Sequence, residues 1–393
     1  MDISRLFDLD AKQILRRMTL PGVDLNIPAV TVFLMAFGTI MIYSASSYES
    51  MIENGNPAFY VNKQIVHVLM AIVAMYIMSL VNYRFWIKWA PWSIPPCLIL
   101  VALTRIGPFK YVVNGAHRWI RIAGRSFQPA EIVKISAIVF TVWIICYHME
   151  KGEADKLSGI AKIMALCCVY ALILWQVTDN MSSAMIVGGI GLCLLFVVCR
   201  SYKWFMLIGG CGSAFALGLI YALKTGLISP SGSFRLARIK TWLDPAADAK
   251  GYGFQTLQSL YSIGSGGVWG KGLGNSIQKM GIIPEAQNDM IFSIICEELG
   301  IFGGIVIMCL FIFLLYRFFL VAQNAPDLAG SLLTVGVLSH VALQVIINIA
   351  VVTNLIPNTG VTMPFISYGG TSIIFMGAEI GMVLSVSGRI VLE

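Results

Sequence analysis

Residues 299–319 read LGIFGGIVIMCLFIFLLYRFF, with Arg317 the one charged side chain in the run. A helix needs about 20 consecutive apolar residues to cross the hydrocarbon core of a bilayer, whereas a barrel strand needs about ten. Lipid tolerates only helices and closed barrels, because every backbone polar group must be paired within the protein. The length of this run therefore predicts a membrane-spanning helix.

Nine more runs of this kind are spread along the 393-residue chain, which is 58% hydrophobic and 12% charged. The run at 86–107 contains Pro91, Pro95 and Pro96, so we expect it to be the least regular. The sequence predicts an all-α polytopic membrane protein with about ten transmembrane helices, and this composition excludes an ordinary soluble class. The other eight runs are 28–48, 64–81, 129–147, 160–178, 183–200, 204–223, 329–352 and 369–388.

The distribution of basic residues predicts the orientation of the chain. With the N-terminus in the cytoplasm, short basic connections lie on that side, and ten spans return the C-terminus to it. Residues 1–27 are then a cytoplasmic segment, either a basic amphipathic helix on the anionic leaflet or a disordered tail. Residues 28–388 form the membrane domain, with a large extracytoplasmic loop at 224–298 between the seventh and eighth spans, and 389–393 form a cytoplasmic tail.

The segment from Gly251 to Gly300 is long, glycine-rich and not continuously apolar. Glycine at this density favours close backbone approach or left-handed turns. The loop is therefore either shaped against something, such as a ligand, or flexible and exposed. A phosphate-binding P-loop ending at Lys271 is excluded, because the chain has Ser265 and Gly272 where that motif needs glycine and a hydroxyl residue.

The basic loop at 105–125 contains five cations and no Asp or Glu. Uncompensated cations oppose translocation of a short loop, so something else must favour them. One interpretation is a site for phosphate groups at the outer leaflet, and the other is adhesion to anionic lipid headgroups. Trp119 and the Asn114-Gly115 turn favour a structured site. The cations are Arg105, Lys110, Arg118, Arg121 and Arg125.

Polar residues inside predicted spans are costly, so they face a partner or a cavity. Glu131 and Lys134 share one helical face, either as an intrahelical ion pair or as the wall of a polar cavity. A stripe of His340, Gln344 and Asn348 repeats every four residues, which is typical of contacts between helices. Glu379 fits either role. The nine cysteines lie in or beside spans, and neither a disulfide framework nor a metal cluster is predicted.

Several long motifs are spread over essentially the whole chain. They are YSASS at 43–47, NGAHRWI at 114–120, QPAEIVKIS at 128–136, WLDP at 242–245, GYGFQ at 251–255, SLYSIGSGGVWGKGLGNS at 259–276, PEAQNDMIFSIICEELG at 284–300 and PNTGVTMPFISYGGTS at 357–372. These motifs resemble, in the same order, those of the SEDS family (shape, elongation, division and sporulation). The resemblance implies an inverting glycosyltransferase that polymerises peptidoglycan strands from lipid II at the outer face of the bacterial cytoplasmic membrane.

The same resemblance implies that the acid closing the Pro-Glu-x-x-x-Asp motif, Asp289, is the catalytic residue. Gln287-Asn288 stands where members often have His-Thr, and Asn180 stands at a position usually held by an acid, with Asp179 beside it. The form of several motifs is closer to division and sporulation members than to elongation members. The candidate substrate-binding residues are Arg118, Arg121, Glu131, Lys134, Lys271, Glu285 and Ser367.

In the implied reaction a sugar hydroxyl attacks an anomeric carbon and expels a lipid diphosphate. Asp289 acts as general base, and a single carboxylate suffices for inversion. The departing charge needs cations, for which Arg118, Arg121, Lys134 and Lys271 are candidates. A divalent cation, Mg²⁺ or Mn²⁺, is a further candidate, although no dedicated ligand cluster is present.

The expected partners are lipid II, the growing lipid-linked strand, a class B penicillin-binding protein (a transpeptidase), other division proteins and membrane lipids, and no nucleic acid. We expect the transpeptidase span to lie against the eighth and ninth spans near Gly303 and Gly304. The expected location is the division septum. The alternatives are an elongation polymerase, a flippase for lipid-linked precursors, and a non-catalytic scaffold.

Overall fold

The structure is a computed structural model that describes residues 22–113, 116–122, 125–152, 157–199, 202–225, 227, 234–251 and 253–390. The predicted N-terminal amphipathic helix lies outside the described residues as far as residue 21. The Asn114-Gly115 turn and the last three residues lie outside them as well.

The described part of the chain contains thirteen α-helices. They are α1 (Asn26–Asn54), α2 (Phe59–Leu80), α3 (Tyr83–Lys88), α4 (Ile94–Leu103), α5 (Pro129–Glu150), α6 (Leu157–Gln176), α7 (Met181–Val198), α8 (Lys203–Lys224), α9 (Phe234–Leu243), α10 (Phe254–Gly266), α11 (Ile291–Gln323), α12 (Leu328–Val352) and α13 (Ser372–Ser387).

Eight of these helices are long and apolar enough to cross a membrane, and two shorter apolar helices, Ala90–Leu103 and Ser372–Ser387, bring the number to ten. The prediction of a polytopic helical membrane protein is therefore confirmed. The irregular third span is confirmed too, since a 3₁₀ turn at Ala90–Ser93 precedes the ten-residue α4. Proline at 91, 95 and 96 lacks the amide hydrogen that a continuous helix would use there.

Ion pairs join the helix ends at one end of the bundle. Arg84 contacts Asp327 at 2.8 Å, and the hydroxyl of Tyr83 donates to the same carboxylate at 2.8 Å. Arg317 Nε donates to Asp24 at 2.6 Å, and Asp24 N donates to Ser387 at 3.0 Å. Residues predicted to share one side of the membrane are thus neighbours, and the segment that contains Asp289 lies towards the other end.

The basic loop contains a small antiparallel sheet, which an all-helical prediction did not include. Strands β1 (Lys110–Val113), β2 (Ala116–Ile122) and β3 (Arg125–Phe127) pair in that order, with Tyr111 opposite Trp119 and Ile120 opposite Phe127. Ile120 is fully buried. The expectation of a structured loop is therefore confirmed.

Helix α11 begins at Ile291, inside the segment predicted as loop, and is kinked at Gly300, where φ is 72°. The glycine-rich segment pairs with this kink through its backbone. Ile301 N donates to Gly267 O at 2.9 Å, and Lys271 N donates to Glu297 O at 2.9 Å. A Cβ on Gly266, Gly270 or Gly300 would overlap backbone atoms of the facing segment. The glycines serve close approach, as predicted, but what they approach is the chain itself.

The two glycines expected at the transpeptidase interface do not offer a docking surface. Gly303 and Gly304 are buried within the chain. A Cβ on Gly304 would lie 3.0 Å from Cys296 Sγ and 3.3 Å from the Phe292 ring. The prediction that a partner helix packs on these glycines is wrong, because the space above them is filled by the preceding turns of α11.

Candidate active site

Asp289 lies in a short loop immediately before α11, and several contacts fix its position. The side-chain amide of Asn348, in α12, donates to Asp289 O at 2.8 Å and to Val361 O at 2.7 Å. Two residues earlier, Gln287 O accepts from Tyr368 N at 2.9 Å. The loop is therefore held between α12 and the segment 357–371, which links α12 to α13.

The loop is turned by Glu285, which has a left-handed backbone at φ 51°. Asn288 closes the turn twice: its backbone N–H donates to Glu285 O at 2.9 Å and its side-chain amide to Glu285 Oε2 at 3.0 Å. Glu285 is exposed, and its negative charge raises the pKa of Asp289.

Burial of the Asp289 carboxyl raises its pKa to about 6. A hydrogen bond from its own backbone and the positive charge of Arg238 oppose the rise, and the negative charge of Glu285 adds to it. A carboxyl with a pKa near the working pH is suited to accept a proton and release it again. These are the properties required of a general base.

A cavity of about 210 Å³ lies between α9, α10 and the 357–371 segment. Arg238 donates to Asn358 O at 3.1 Å, and Asn358 Nδ2 donates to Gln255 Oε1 at 2.9 Å. Gly360, two residues beyond Asn358, faces the Asp289 carboxylate, since a Cβ there would lie 3.8 Å from Oδ2. The cavity therefore borders the loop that contains Asp289. It is lined by Arg238, Thr241, Trp242, Gly251, Phe254, Gln255, Thr256, Pro284 and Asn358.

Glu131 and Lys134 form a buried ion pair at 3.0 Å, as one of the two interpretations predicted. The hydroxyl of Ser372, at the start of α13, donates to Glu131 at 3.0 Å, so the pair joins two helices. Ser367 is buried as well, and its hydroxyl accepts from Met363 N at 2.7 Å. These contacts lie within the protein and stabilise the segment before α13.

Lys271 is bound to a carboxylate of the chain. It contacts Glu297 at 2.7 Å, and Glu297 is fully buried in the first part of α11. The neighbouring pair is more deeply buried: Lys279 contacts Glu298 at 2.8 Å, and the hydroxyl of Ser44 in α1 donates to Glu298 at 2.6 Å. Both ion pairs anchor the glycine-rich segment to α11, a function that the sequence analysis did not assign to them.

The basic loop is partly compensated by Asp179, contrary to the interpretation of five uncompensated cations. Asp179 Oδ2 contacts Arg105 at 3.1 Å and His117 Nδ1 at 3.2 Å, while Arg118 donates to Asp179 O at 3.1 Å. Burial tends to raise the pKa of Asp179, but the hydrogen bond from His117 and the charge of Arg105 hold it below its usual value. Asn180 instead caps α7, accepting from Ser183 N at 3.0 Å.

Arg121 differs in its contacts from Arg105 and Arg118. It is exposed on β2, and its guanidinium lies 5.3 Å from the centre of the Tyr111 ring. Of the predicted cations, Arg118 and Arg121 lie on the sheet, while Lys134 and Lys271 are bound to carboxylates. Arg238 lines the cavity, and its charge is the one that lowers the pKa of Asp289. Sequence reasoning missed Arg238, although it follows three residues after Arg235 and precedes the quoted WLDP motif.

Comparison with known proteins shows the family of this chain. A family model described as "Cell cycle protein", for FtsW, RodA and SpoVE, matches residues 24–390. The stage V sporulation protein E of Bacillus subtilis is 35% identical over 364 residues, which is 93% of this chain and 96% of that protein. A probable peptidoglycan glycosyltransferase FtsW of Geobacter sp. is 33% identical over 372 residues, 94% of this chain and 97% of that protein. The chain belongs to this family, which is the SEDS family.

Two solved structures have the same fold. One comes from a structural study of how a peptidoglycan synthase complex coordinates polymerization and crosslinking. Its TM-score is 0.74 at 23% identity, and the match covers 93% of this chain and 98% of that one. The other is the rod shape determining protein RodA of Thermus thermophilus, with a TM-score of 0.63, 21% identity, and coverage of 95% and 99%.

Proposed function

We propose that this protein is a peptidoglycan glycosyltransferase that polymerises lipid II into glycan strands, with Asp289 as general base and inversion at the anomeric carbon. The observation that carries the proposal is the Asp289 carboxyl: its pKa is raised to about 6, and its backbone is fixed by Asn348 at the start of a membrane helix. Relatives of the same family are named as probable glycosyltransferases of this kind.

The reaction needs one proton acceptor and one stabilised leaving group. The acceptor hydroxyl loses its proton to Asp289 as its oxygen bonds to the anomeric carbon on the face opposite the diphosphate. The diphosphate leaves with the electron pair of the broken bond and requires positive charge nearby rather than a proton. General-base assistance contributes about 10²–10⁴-fold to such a step.

We include a divalent cation in the proposal only as an ion that binds together with the substrate. The described residues contain no group of three or more His, Cys, Asp or Glu side chains that could hold a metal. Mg²⁺ is often bound by one or two carboxylates together with substrate phosphates. A Mg²⁺ or Mn²⁺ ion would therefore arrive with the diphosphate.

The division role is favoured over elongation by the sequence relatives, which include sporulation and FtsW proteins at 33–35% identity, whereas the RodA structure is 21% identical. The proposal places the protein at the septum, with both termini in the cytoplasm. Its partners are a class B penicillin-binding protein, the growing lipid-linked strand, other division proteins and membrane lipids. The synthase complex with the same fold supports a transpeptidase partner.

The test is polymerisation of lipid II by the purified protein, with and without a transpeptidase partner, comparing wild type with Asp289→Asn. We expect the variant to fold and to make no glycan strand. Asp244→Asn is the matched control, because Asp244 caps a turn in the same segment through Ala247 N, and asparagine caps equally well. Wild-type-like polymer from Asp289→Asn excludes Asp289 as the base. Translocation of lipid II without polymer by both proteins indicates a flippase, and neither activity indicates a scaffold.

A further inference from the structure

The glycine-rich segment exposes a largely apolar surface. Six large apolar side chains between residues 261 and 280 are exposed, and Trp269, at 77%, is the most exposed of them. Exposed apolar surface of this kind marks a contact with a membrane or with another protein. We call the six residues the apolar patch: Tyr261, Val268, Trp269, Leu273, Ile277 and Met280.

The charges of this segment are bound within the protein. Lys271 and Lys279 are the charged residues between positions 261 and 283. Lys271 contacts Glu297 at 2.7 Å, and this carboxylate is fully buried. Lys279 contacts the equally buried Glu298 at 2.8 Å. Because both cations are neutralised from the inside, the surface of the segment has little charge to hold it in water.

The patch lies level with one end of the part of α11 that crosses the hydrocarbon. Phe302 N donates to Val268 O at 3.1 Å, and the rings of Phe302 and Trp269 lie 5.5 Å apart. Arg317, which forms an ion pair at the other end of the bundle, marks the far end of this crossing. A helix crosses the hydrocarbon in about 20 residues, so the opposite boundary falls close to the kink at Gly300. The patch is therefore at the depth where hydrocarbon meets water.

The membrane interface fits this surface better than a second protein does. Tyrosine and tryptophan are enriched where hydrocarbon meets water, and the patch contains Tyr261 and Trp269. The exposed Phe302 continues the patch onto the exposed face of the membrane helix α11. A protein interface usually surrounds its apolar centre with a polar rim, whereas the lysines of this segment are turned inward.

We propose that the apolar patch inserts into the membrane–water interface at the end of the bundle that contains Asp289, and that its side chains contact phospholipid there. This contact is independent of the reaction proposed above. Ile283 N donates to Gln278 O at 3.0 Å, so the chain passes from the patch through a tight turn into the loop of Asp289. Insertion of the patch therefore fixes the depth of this loop relative to the membrane surface.

The test measures the depth of the patch in the full-length protein alone, in vesicles of phosphatidylethanolamine and phosphatidylglycerol. A fluorescent amino acid replaces Leu273 or Ile277. Its emission is quenched by a lipid nitroxide near the headgroup, by a lipid nitroxide near the end of the acyl chain, or by iodide in water. We expect the nitroxide near the headgroup to quench most strongly and iodide most weakly. Lys250, exposed between α9 and α10, is the labelled control for water, and Ile312, exposed on α11, is the control for hydrocarbon.

Two results of this measurement would overturn the proposal. One is iodide quenching at Leu273 and Ile277 as strong as that at Lys250, which would show that the patch lies in water. The other is protection from iodide that appears only when a transpeptidase is added, which would show that the patch is a protein interface instead.

A second measurement tests whether the side chains themselves hold the segment in the membrane. With the label at Ile277, Trp269→Gln combined with Leu273→Gln should lower quenching by lipid and raise quenching by iodide, because apolar surface is lost. Leu355→Gln, at an exposed leucine outside the patch, is the matched control and should change neither. If the double variant does not fold, Met280→Gln replaces it, with a smaller change in the same direction. Unchanged quenching in the patch variants would also overturn the proposal.

Discussion

The side-chain amide of Asn348 donates both of its hydrogens to backbone carbonyls, to Asp289 at 2.8 Å and to Val361 at 2.7 Å. Asn348 is fully buried in α12. A single side chain thus ties the Asp289 loop to the segment that faces it. Under the proposed function Asn348 is a positioning residue, because it contacts the Asp289 backbone and not the carboxylate.

We predict that Asn348→Ala lowers kcat about 100-fold, since a displacement of about 1 Å at a catalytic group can have an effect of that size. Gln344→Ala is the control. Gln344, one turn earlier, donates to Thr362 O at 3.1 Å and has no bond to the Asp289 loop. Asn348→Ala should also unfold at a somewhat lower temperature than Gln344→Ala, because it leaves two backbone carbonyls without this donor and Gln344→Ala leaves one. Equal kcat losses in the two variants would show that α12 packing, and not Asp289, is affected.

The raised pKa of Asp289 predicts the acid limb of the rate profile. Because the base must be deprotonated, kcat/KM should fall tenfold per pH unit below about pH 6. Glu285→Gln removes a negative charge that raises this pKa, so the limb should move to lower pH. Glu53→Gln is the control, since Glu53 raises the pKa of other groups but not that of Asp289. An unmoved limb in Glu285→Gln would assign it to another group.

The same shift predicts a stability effect with a definite sign. A carboxyl whose pKa is raised by folding favours the folded state while protonated, and that advantage is lost as pH rises from about 4 to about 6. At neutral pH the charged carboxylate is therefore unfavourable in the folded protein. We expect Asp289→Asn to raise the melting temperature above that of wild type at pH 7 and to change it less at pH 4.5. A lower melting temperature at pH 7 would contradict this account.

Lys271 can be tested as a structural residue against its predicted contact with substrate. Lys271→Met leaves buried Glu297 without its cation and should lower the free energy of unfolding by about 2 kcal/mol, with lower activity. Adding Glu297→Gln removes the unpaired charge. The glutamine can still form hydrogen bonds with Ser276 and the neighbouring groups. We expect the double variant to recover stability and activity together. Recovered stability with activity still lost would return Lys271 to the substrate site.

The basic loop offers a similar comparison between an exposed cation and an ion-paired one. Arg121→Gln should leave the melting temperature unchanged, because the side chain is exposed and its contact in the described part of the chain is with the Tyr111 ring. If the loop binds lipid II phosphates, this variant should weaken lipid II binding about tenfold. Arg105→Gln, which loses its contact with Asp179, should lower the melting temperature slightly instead. Unchanged lipid II affinity in Arg121→Gln would favour adhesion to the membrane surface.

The ten spans could be predicted because hydrocarbon thickness fixes helix length, and that constraint acts on each run separately. The start of α11 could not, because Glu297 and Glu298 look too polar for a buried helix until Lys271, Lys279 and Ser44 are known to surround them. A local charge count cannot reveal a partner that lies some 250 residues away, as Ser44 does from Glu298.

The site divides in the same way. Asp289 could be proposed as the catalytic residue from a motif, since its neighbours along the chain carry the signal. Arg238 and Asn348 could not be assigned to it, because they come from separate helices and are brought together only by folding. The stripe with Asn348 predicted a contact between helices, and that is confirmed for His340, whose Nδ1 lies 2.7 Å from Glu379. The same stripe gave no sign that its last member reaches the loop of Asp289.

The last prediction concerns the face of α11 that a transpeptidase helix could cover. Its inner face, which includes Gly304, Ile307 and Phe311, is buried. A row of residues spaced three and four apart is exposed: Phe302, Ile305, Cys309, Ile312, Tyr316 and Phe319. That spacing suits packing of a second helix at about 20°. We expect Ile305→Ala with Ile312→Ala to reduce copurification of the transpeptidase without lowering the melting temperature. Ile65→Ala with Leu69→Ala, on the exposed face of α2, is the matched control. Gly304→Leu should instead destabilise the chain itself. Copurification that fails only with the α2 pair would place the partner on α2 instead.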